Sequence, residues 1–314
     1  MVSGKHRQTY YAVRDRNTVM GDIVVAGSSV PGLAREISED FRCKFAAARV
    51  HKFPDGELHI QVTENVYGKR VIYIQSMSPC PDDKLVELLI TVDLLNELGA
   101  DNVTLVAPYL GYTRQDARMK PGEAVNARTL FKLLDAVRIN ELVSVDIHLH
   151  RLSSKELAKL TDITIKEVSA IPQLAQHVGN MLDNPLMIAP DSEAGRFAKV
   201  AAKVLGSDYD VMQKRRLSPT KVQILPKKLH VEGGDVVIVD DIVSTGDTMV
   251  ETAKALKQQG ARRIIAAFTH PVLSDESVAQ KMFDAGISKI ISTNTIPSKY
   301  GVVSVADLIV AQLE

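Results

Sequence analysis

The chain has 314 residues, 45% of them hydrophobic, which is enough for two compact domains with separate cores. Lysine plus arginine number 38 and aspartate plus glutamate 38, so no net field recruits nucleic acid or an anionic membrane, and any anion must be held locally. No apolar run approaches the roughly 20 residues that span a bilayer. The first 20 residues carry Lys5, His6, Arg7 and Arg14 without an apolar core and do not read as a secretory signal. A cytoplasmic protein with no membrane and no nucleic-acid partner is expected. Only Cys43 and Cys80 occur, too few for a disulfide framework or a cysteine zinc site, and both are expected to be reduced.

Residues 1–20 are polar without clear periodicity and read as an extension. Beyond them, short β-rich apolar runs alternate with helical patterns. Strands are expected at Asp22 to Ala26, Val71 to Gln75, Val103 to Ala107, Leu142 to Ile147, Leu186 to Ala189, Val236 to Val239 and Ile264 to Phe268. Leu85, Leu88, Leu89, Val92 and Leu95 recur at spacings of three and four, as do Met249, Thr252, Ala253 and Leu256, so each segment lays an apolar stripe on a sheet. The run from Val71 through Gly99-Ala100 to the strand ending at Pro108 is echoed from Val236 through Gly260-Ala261 to the strand that precedes Pro271. The fold class is therefore α/β, with two similar domains, each a parallel sheet flanked by helices. The division is expected at 1–153, including the extension, and 154–314, with the junction near 150 to 156. Val305 to Leu313 can pack on either domain.

The strongest local signal is Val236-Val237-Ile238-Val239-Asp240-Asp241-Ile242-Val243-Ser244-Thr245-Gly246-Asp247-Thr248, followed by a helix. Ser244, Thr245, Gly246, Asp247 and Thr248 can present backbone N–H groups and hydroxyls to a phosphate, with the positive end of the helix dipole behind them. Asp240 and Asp241, at the carboxyl end of a parallel strand, are placed to accept hydrogen bonds from sugar hydroxyls. The structural alternative is a turn in which Ser244 or Thr245 merely caps the helix.

This run resembles the ribose-phosphate loop of the type I phosphoribosyltransferase fold. That fold serves transferases that consume phosphoribosyl diphosphate, regulators that bind it and synthetases that make it, and the run alone does not choose among them. Further segments resemble ribose-phosphate diphosphokinase. Phe53-Pro54-Asp55-Gly56-Glu57 is similar to the family's adenine loop, implying that Phe53, Asp55 and Glu57 serve ATP across a subunit interface in a homo-oligomer. Pro108 to Arg118 matches the family's Pro-Tyr-x-x-Tyr-x-Arg-Gln-Asp segment, implying ATP contacts for Arg114, Gln115 and Asp116. Ser144 to His148 resembles the strand whose histidine lies at the metal, and Ala189-Pro190-Asp191 the segment whose aspartate helps bind Mg2+, so His148 and Asp191 are the implied metal residues. Lys214 to Thr220 looks like the mobile loop in which Lys214 and Arg216 inherit the catalytic roles. Its Ser-Pro-Thr end, and Ser244 in place of an aspartate, resemble the archaeal branch.

The resemblance implies transfer of diphosphate from Mg-ATP to the anomeric hydroxyl of ribose 5-phosphate, giving 5-phosphoribosyl 1-diphosphate and AMP, with Mg2+ as cofactor. A nucleobase phosphoribosyltransferase has no use for Arg114-Gln115, and a non-catalytic associated subunit would carry lesions at Lys214, His148 or Asp191, where none is seen. His148 and His150 also suggest a transition-metal pair, but no third soft ligand is spaced nearby.

Overall fold

The computed structural model describes residues 21–152, 154–218, 221–225 and 231–314, with residues 154, 213–218 and 221–225 described by backbone alone. In the first half, β1 (Ile23–Ala26), α1 (Pro31–Asp40) and β2 (Lys44–Ala47) lead into a ribbon of β3 (Arg49–Lys52) and β4 (Leu58–Gln61). Next come β5 (Arg70–Ile74), α2 (Pro81–Glu97), β6 (Asn102–Ala107), α3 (Asn126–Ala136), β7 (Glu141–Val145), the short α4 (Ser154–Leu157) and β8 (Thr164–Val168). These give a six-stranded sheet in the order β2-β1-β5-β6-β7-β8, parallel at every pairing.

The second half repeats the plan. It runs through α5 (Ile171–Gly179), β9 (Leu186–Ala189), α6 (Gly195–Leu205), β10 (Tyr209–Val211) and a ribbon of β11 (Gln213–Ser218) with β12 (Lys221–Leu225). Then follow β13 (Asp235–Val243), α7 (Asp247–Gln258), β14 (Arg263–Pro271), α8 (Ser277–Asp284), β15 (Lys289–Thr293), β16 (Gly301–Val303) and α9 (Ala306–Leu313). The second sheet, also six-stranded and parallel, has the order β10-β9-β13-β14-β15-β16, the same permutation as the first.

Central strands are buried on both faces, which is why they read as continuous apolar runs rather than alternating ones. In the first sheet one face packs on α2 and α3 through Leu88, Val92, Leu95, Leu130 and Phe131, and the other on α1 and α9 through Leu33, Ile37, Ile309 and Leu313. In the second sheet α7 and α8 cover one face, α5 and α6 the other. α2 opens with Pro81 at its first turn and Asp82 and Asp83 against the helix dipole. It closes at Gly99, whose φ of 83° turns the chain back, and Gly260 at 85° does the same after α7. The internal echo in the sequence is thus a repeated β-α-β unit.

α9, which the sequence left between two domains, returns to the first sheet, where Arg70 donates to the Leu313 carbonyl at 2.8 Å and Lys166 to that of Gln312 at 2.6 Å. β8 still belongs to the first sheet, so by sheet membership the chain changes sheets after Val168, later than the junction expected at 150 to 156. The edge strands β2, β8, β10 and β16 escape the apolar-run reading because each is flanked on one side only and keeps exposed or half-buried positions. β7 stops at Val145, short of Ile147, because Asp146 takes a φ of 38° and leaves the extended conformation. β13 and β14 run nine residues each, longer than expected. The two thiols are unbonded, and no helix among the described residues is long and apolar enough to cross a membrane. The expected extension, residues 1–20, lies outside the described residues.

Candidate active site

The carboxyl ends of the two sheets face each other, and side chains beyond β7 reach those of β13 and β14. Thr269 donates its hydroxyl to Asp146 Oδ2 at 2.6 Å, and the same oxygen accepts the Ala170 N–H at 3.0 Å. His270, 1% exposed, sits 3.0 Å from the Val145 carbonyl and 3.0 Å from the Thr295 hydroxyl. Burial pushes its imidazole pKa down, outweighing the nearby Asp146 and Asp241 charges. These contacts fix one domain on the other around a seam.

At the seam His148 Nδ1 lies 2.6 Å from Asp241 Oδ2, a short contact in which the ring nitrogen donates to the carboxylate. Burial alone would raise the Asp241 carboxyl pKa, but the His148 hydrogen bond and charge, with His270 adding, hold it well below the usual range. Asp240 is shifted upward, by burial first and then by the charges of Asp241 and Asp191. Three carboxylates therefore crowd one place. His150 Nε2 stands 3.3 Å from His148 Nδ1, the rings crossing at 76° with centroids 4.1 Å apart. Although β7 has ended, the two histidines meet, and Asp241 supplies the third ligand that the local sequence lacks: the ligand atoms of His148, His150 and Asp241 all lie within 4.8 Å of one another.

After Val243 the chain makes the loop Ser244-Thr245-Gly246 and enters α7. Gly246 is the N-cap, with a φ of 77°, and an added Cβ would stand 2.7 Å from Val278 Cγ1, so a side chain is excluded both by conformation and by space. Thr245 donates its hydroxyl to Asp247 Oδ2 at 3.0 Å. The N-cap Gly246 offers no side chain to cap the α7 amino end, and Thr245 and Asp247 are exposed, which leaves the helix amino end accessible to an anion. The reading of Ser244 or Thr245 as a mere helix cap thus finds no support.

A cavity of about 670 Å³ opens at the seam, within the size range of small-ligand pockets. Arg114, Gln115, Tyr112, Cys80 and Ser78 line it from the first half and Val272 to Ser274 from the second. Asp116, expected among the ATP contacts, is instead 3% exposed and turned to a structural task. Its Oδ2 accepts the backbone N–H groups of His150, Arg151 and Leu152 at 2.6, 2.5 and 3.3 Å. Burial opposes ionisation there, and those three donors nevertheless lower the carboxyl pKa. Nothing local in the sequence distinguishes this aspartate from its neighbours.

Asp191, half-buried after β9, accepts the N–H groups of Glu193 and Ala194 at 3.0 and 3.1 Å through Oδ1. The hard oxygen donors of Asp191, Asp240 and Asp241, whose mutual repulsion already raises the Asp240 pKa, are the donor chemistry that Mg2+ prefers. Lys214 and Arg216 lie on β11, paired with Ile224 and Val222 of β12; Pro219 and Thr220 fall outside the described residues. Phe53, Asp55 and Glu57 sit at the exposed tip of the β3–β4 ribbon, with Phe53 45% exposed and edge-on to both His51 and His59 at 5.7 Å. They do not line the cavity of their own chain.

Paired parallel sheets whose carboxyl ends close on an acidic strand end and a helix amino terminus place the chain in the phosphoribosyltransferase class of two-domain α/β proteins. A sequence profile for the phosphoribosyl transferase domain matches residues 162–304, and one for the N-terminal domain of ribose phosphate pyrophosphokinase matches residues 23–137. The ribose-phosphate pyrophosphokinase of Methanothermobacter thermautotrophicus is 39% identical over 287 residues, which are 91% of this chain and 98% of its own. That of Methanopyrus kandleri is 37% identical over 294 residues, 93% and 98% of the two chains. The crystal structure of phosphoribosylpyrophosphate synthetase from Mycobacterium smegmatis superposes with a TM-score of 0.81 at 26% identity, covering 93% of this chain and 97% of that one. The chain belongs to the ribose-phosphate pyrophosphokinase family.

Proposed function

We propose that the chain moves the diphosphate group of Mg-ATP onto the anomeric hydroxyl of ribose 5-phosphate. The anomeric oxygen attacks the β-phosphorus in line; the new O–P bond forms as the bond to the α,β-bridging oxygen breaks. AMP leaves, and the hydroxyl proton passes to solvent. The observation that carries this reading is the meeting of two kinds of pocket at one seam. The second half brings the loop from Ser244 to Thr248 and the carboxylates of Asp240 and Asp241, and the first half brings Arg114 and Gln115 to the adjoining cavity.

In this reading the α7 amino end, with Ser244, Thr245, Gly246, Asp247 and Thr248, takes the 5-phosphate, and Asp240 and Asp241 accept from the ribose hydroxyls. Arg114 and Gln115 hold the nucleotide phosphates and base side. Asp116 acts as a positioning residue that keeps the 150–152 backbone in place beneath His148. His148 and Asp191 hold Mg2+, which when bound spreads the charge of the transferring phosphates. Lys214 and Arg216, carried by the β11–β12 ribbon, close on those phosphates and exclude water, so that ATP is not hydrolysed. Phe53, Asp55 and Glu57, exposed and absent from the lining of their own cavity, serve the adenine of a neighbouring chain in a cytoplasmic homo-oligomer.

The test is a coupled assay for AMP release. Turnover that requires ATP, ribose 5-phosphate and Mg2+ together is expected. AMP or ADP formed at the same rate without ribose 5-phosphate would defeat the proposal.

A further inference from the structure

Within the seam one side chain has no task in the reaction. His150 is half-buried, yet its Nε2 points at His148 Nδ1 from 3.3 Å, and the Asp241 carboxylate meets that same Nδ1 from 2.6 Å. A single ring nitrogen thus faces two partners, and a neutral imidazole has at most one proton to offer there. We infer that His148, His150 and Asp241 form a binding site for a borderline divalent transition cation of the zinc type, one that shares His148 with the Mg2+ site proposed above and adds His150 and Asp241 to it.

The geometry suits such an ion. Around a tetrahedral centre with metal–nitrogen bonds of about 2.0–2.1 Å, ligand atoms stand roughly 3.3 Å apart. The separation between His150 Nε2 and His148 Nδ1 is 3.3 Å. The shorter separation to Asp241 is that of a hydrogen bond, and it opens when the ion takes the place of the shared proton, which is released on binding. Two imidazole nitrogens and a carboxylate oxygen are a donor set for zinc and its neighbours rather than for Mg2+, which selects oxygen. The ligands are also held in advance. Asp241 is fixed on β13, and the His150 backbone is pinned by Asp116, so little ordering remains to be done on binding. His148 and His150 are only half-buried, which leaves a coordination position open to water.

Occupation of this site takes Asp241 away from the ribose hydroxyls and His148 away from Mg2+, so the ion competes with ribose 5-phosphate and inhibits. That half of the inference rests on the sugar-binding role proposed above; the metal site itself does not. Titration calorimetry of untagged, chelator-stripped protein with Zn2+ tests both halves, using the natural chain and His150→Gln. One Zn2+ per chain is expected, with affinity falling at least about tenfold in His150→Gln, since losing a ligand costs no less than losing an outer-sphere partner. Equal affinities, or no Zn2+ uptake by the natural chain, would overturn the site. Replacement by Co2+ gives a second readout free of any variant: intense visible bands of low-coordinate cobalt support it, and the weak bands of an octahedral aquo-type ion contradict it. Ribose 5-phosphate should weaken Zn2+ binding. If it does not, while the dependence on His150 persists, the metal site stands and the sugar role of Asp241 fails.

Discussion

The ends of β5 and β13 occupy the same position in two sheets of identical strand order, yet one is filled and the other open. Beyond β5, Gln75 and Ser76 are fully buried. Gln75 Oε1 accepts the Ser29 N–H and hydroxyl at 3.2 and 2.9 Å, and the Ser76 hydroxyl donates to the Thr295 carbonyl at 2.5 Å. Glu87 of α2 closes the neighbouring turn, taking the Ser28 N–H at 2.8 Å and its hydroxyl at 2.5 Å. Beyond β13, Asp240 is half-buried and Thr245 and Asp247 are exposed, with the uncapped α7 amino end behind them. The ribbons differ in the same way. The one before β5 carries an aromatic tip, Phe53 between His51 and His59, and the one before β13 carries Lys214 and Arg216. A duplicated scaffold thus carries different loops at matching strand ends, one leading through Ser78 and Cys80 into the cavity wall and the other into the open α7 amino end, and function lies in such grafted loops.

That contrast can be broken from either side. The largest effect is expected for Lys214→Ala on the second ribbon. Turnover should fall by about 10²–10³-fold, as when one transition-state donor is removed, with ATP affinity nearly unchanged. Steady-state kinetics with an independent binding titration measure this, and an unchanged kcat refutes the role. Next comes Glu87→Ala in the filled copy. It removes a buried carboxylate that accepts the N–H and hydroxyl of the exposed Ser28, and should cost about 1.5–3 kcal/mol of stability by denaturant titration, with ribose 5-phosphate affinity of the folded protein intact. A loss of sugar affinity without a loss of stability would reverse the contrast. Asp240→Asn should do the opposite, weakening ribose 5-phosphate binding by roughly tenfold at little cost in stability. Equal affinity by calorimetry removes its assignment.

The amino end of β13 allows a smaller, pH-dependent test. Asp235, 5% exposed, is bound by Arg263 and Arg262, which bring its carboxyl pKa to about 2 against the opposing effect of burial. At the corresponding end of β5, Arg70 and Asp22 are 3.7 Å apart and partly exposed. Because the folded pKa of Asp235 is depressed, its contribution is present above the unfolded value near 4 and is lost as the pH falls toward 2. Asp235→Asn should be less stable by about 2 kcal/mol at neutral pH, and the difference should vanish across that window. A difference that persists at pH 2 contradicts the ion-pair account.

Much of this was legible in the sequence. The central strands announce themselves because both faces are buried, and the β-α-β repeat because Gly99 and Gly260 recur at helix ends. The loop from Asp240 to Thr248 was readable because its chemistry is contiguous. What was not legible depends on contacts distant in sequence. Asp241 meets His148 across 93 residues and Thr269 meets Asp146 across 123, so neither the His–His–Asp cluster nor the domain seam leaves a local pattern. The inward turn of Asp116 is of the same kind, as is the return of α9 to the first sheet.

The central claim is that a sugar phosphate and a nucleotide bind at one seam, the sugar phosphate at the end of β13 in the second copy of the scaffold and the nucleotide beside Arg114 of the first. A crystal structure with ribose 5-phosphate and a non-hydrolysable ATP analogue measures this directly. The account predicts a phosphate on the Ser244–Thr248 backbone and a triphosphate beside Arg114, with the anomeric oxygen roughly 3–3.5 Å from the β-phosphorus. Sugar phosphate bound at the end of β5, or two ligands too far apart to react, would contradict it.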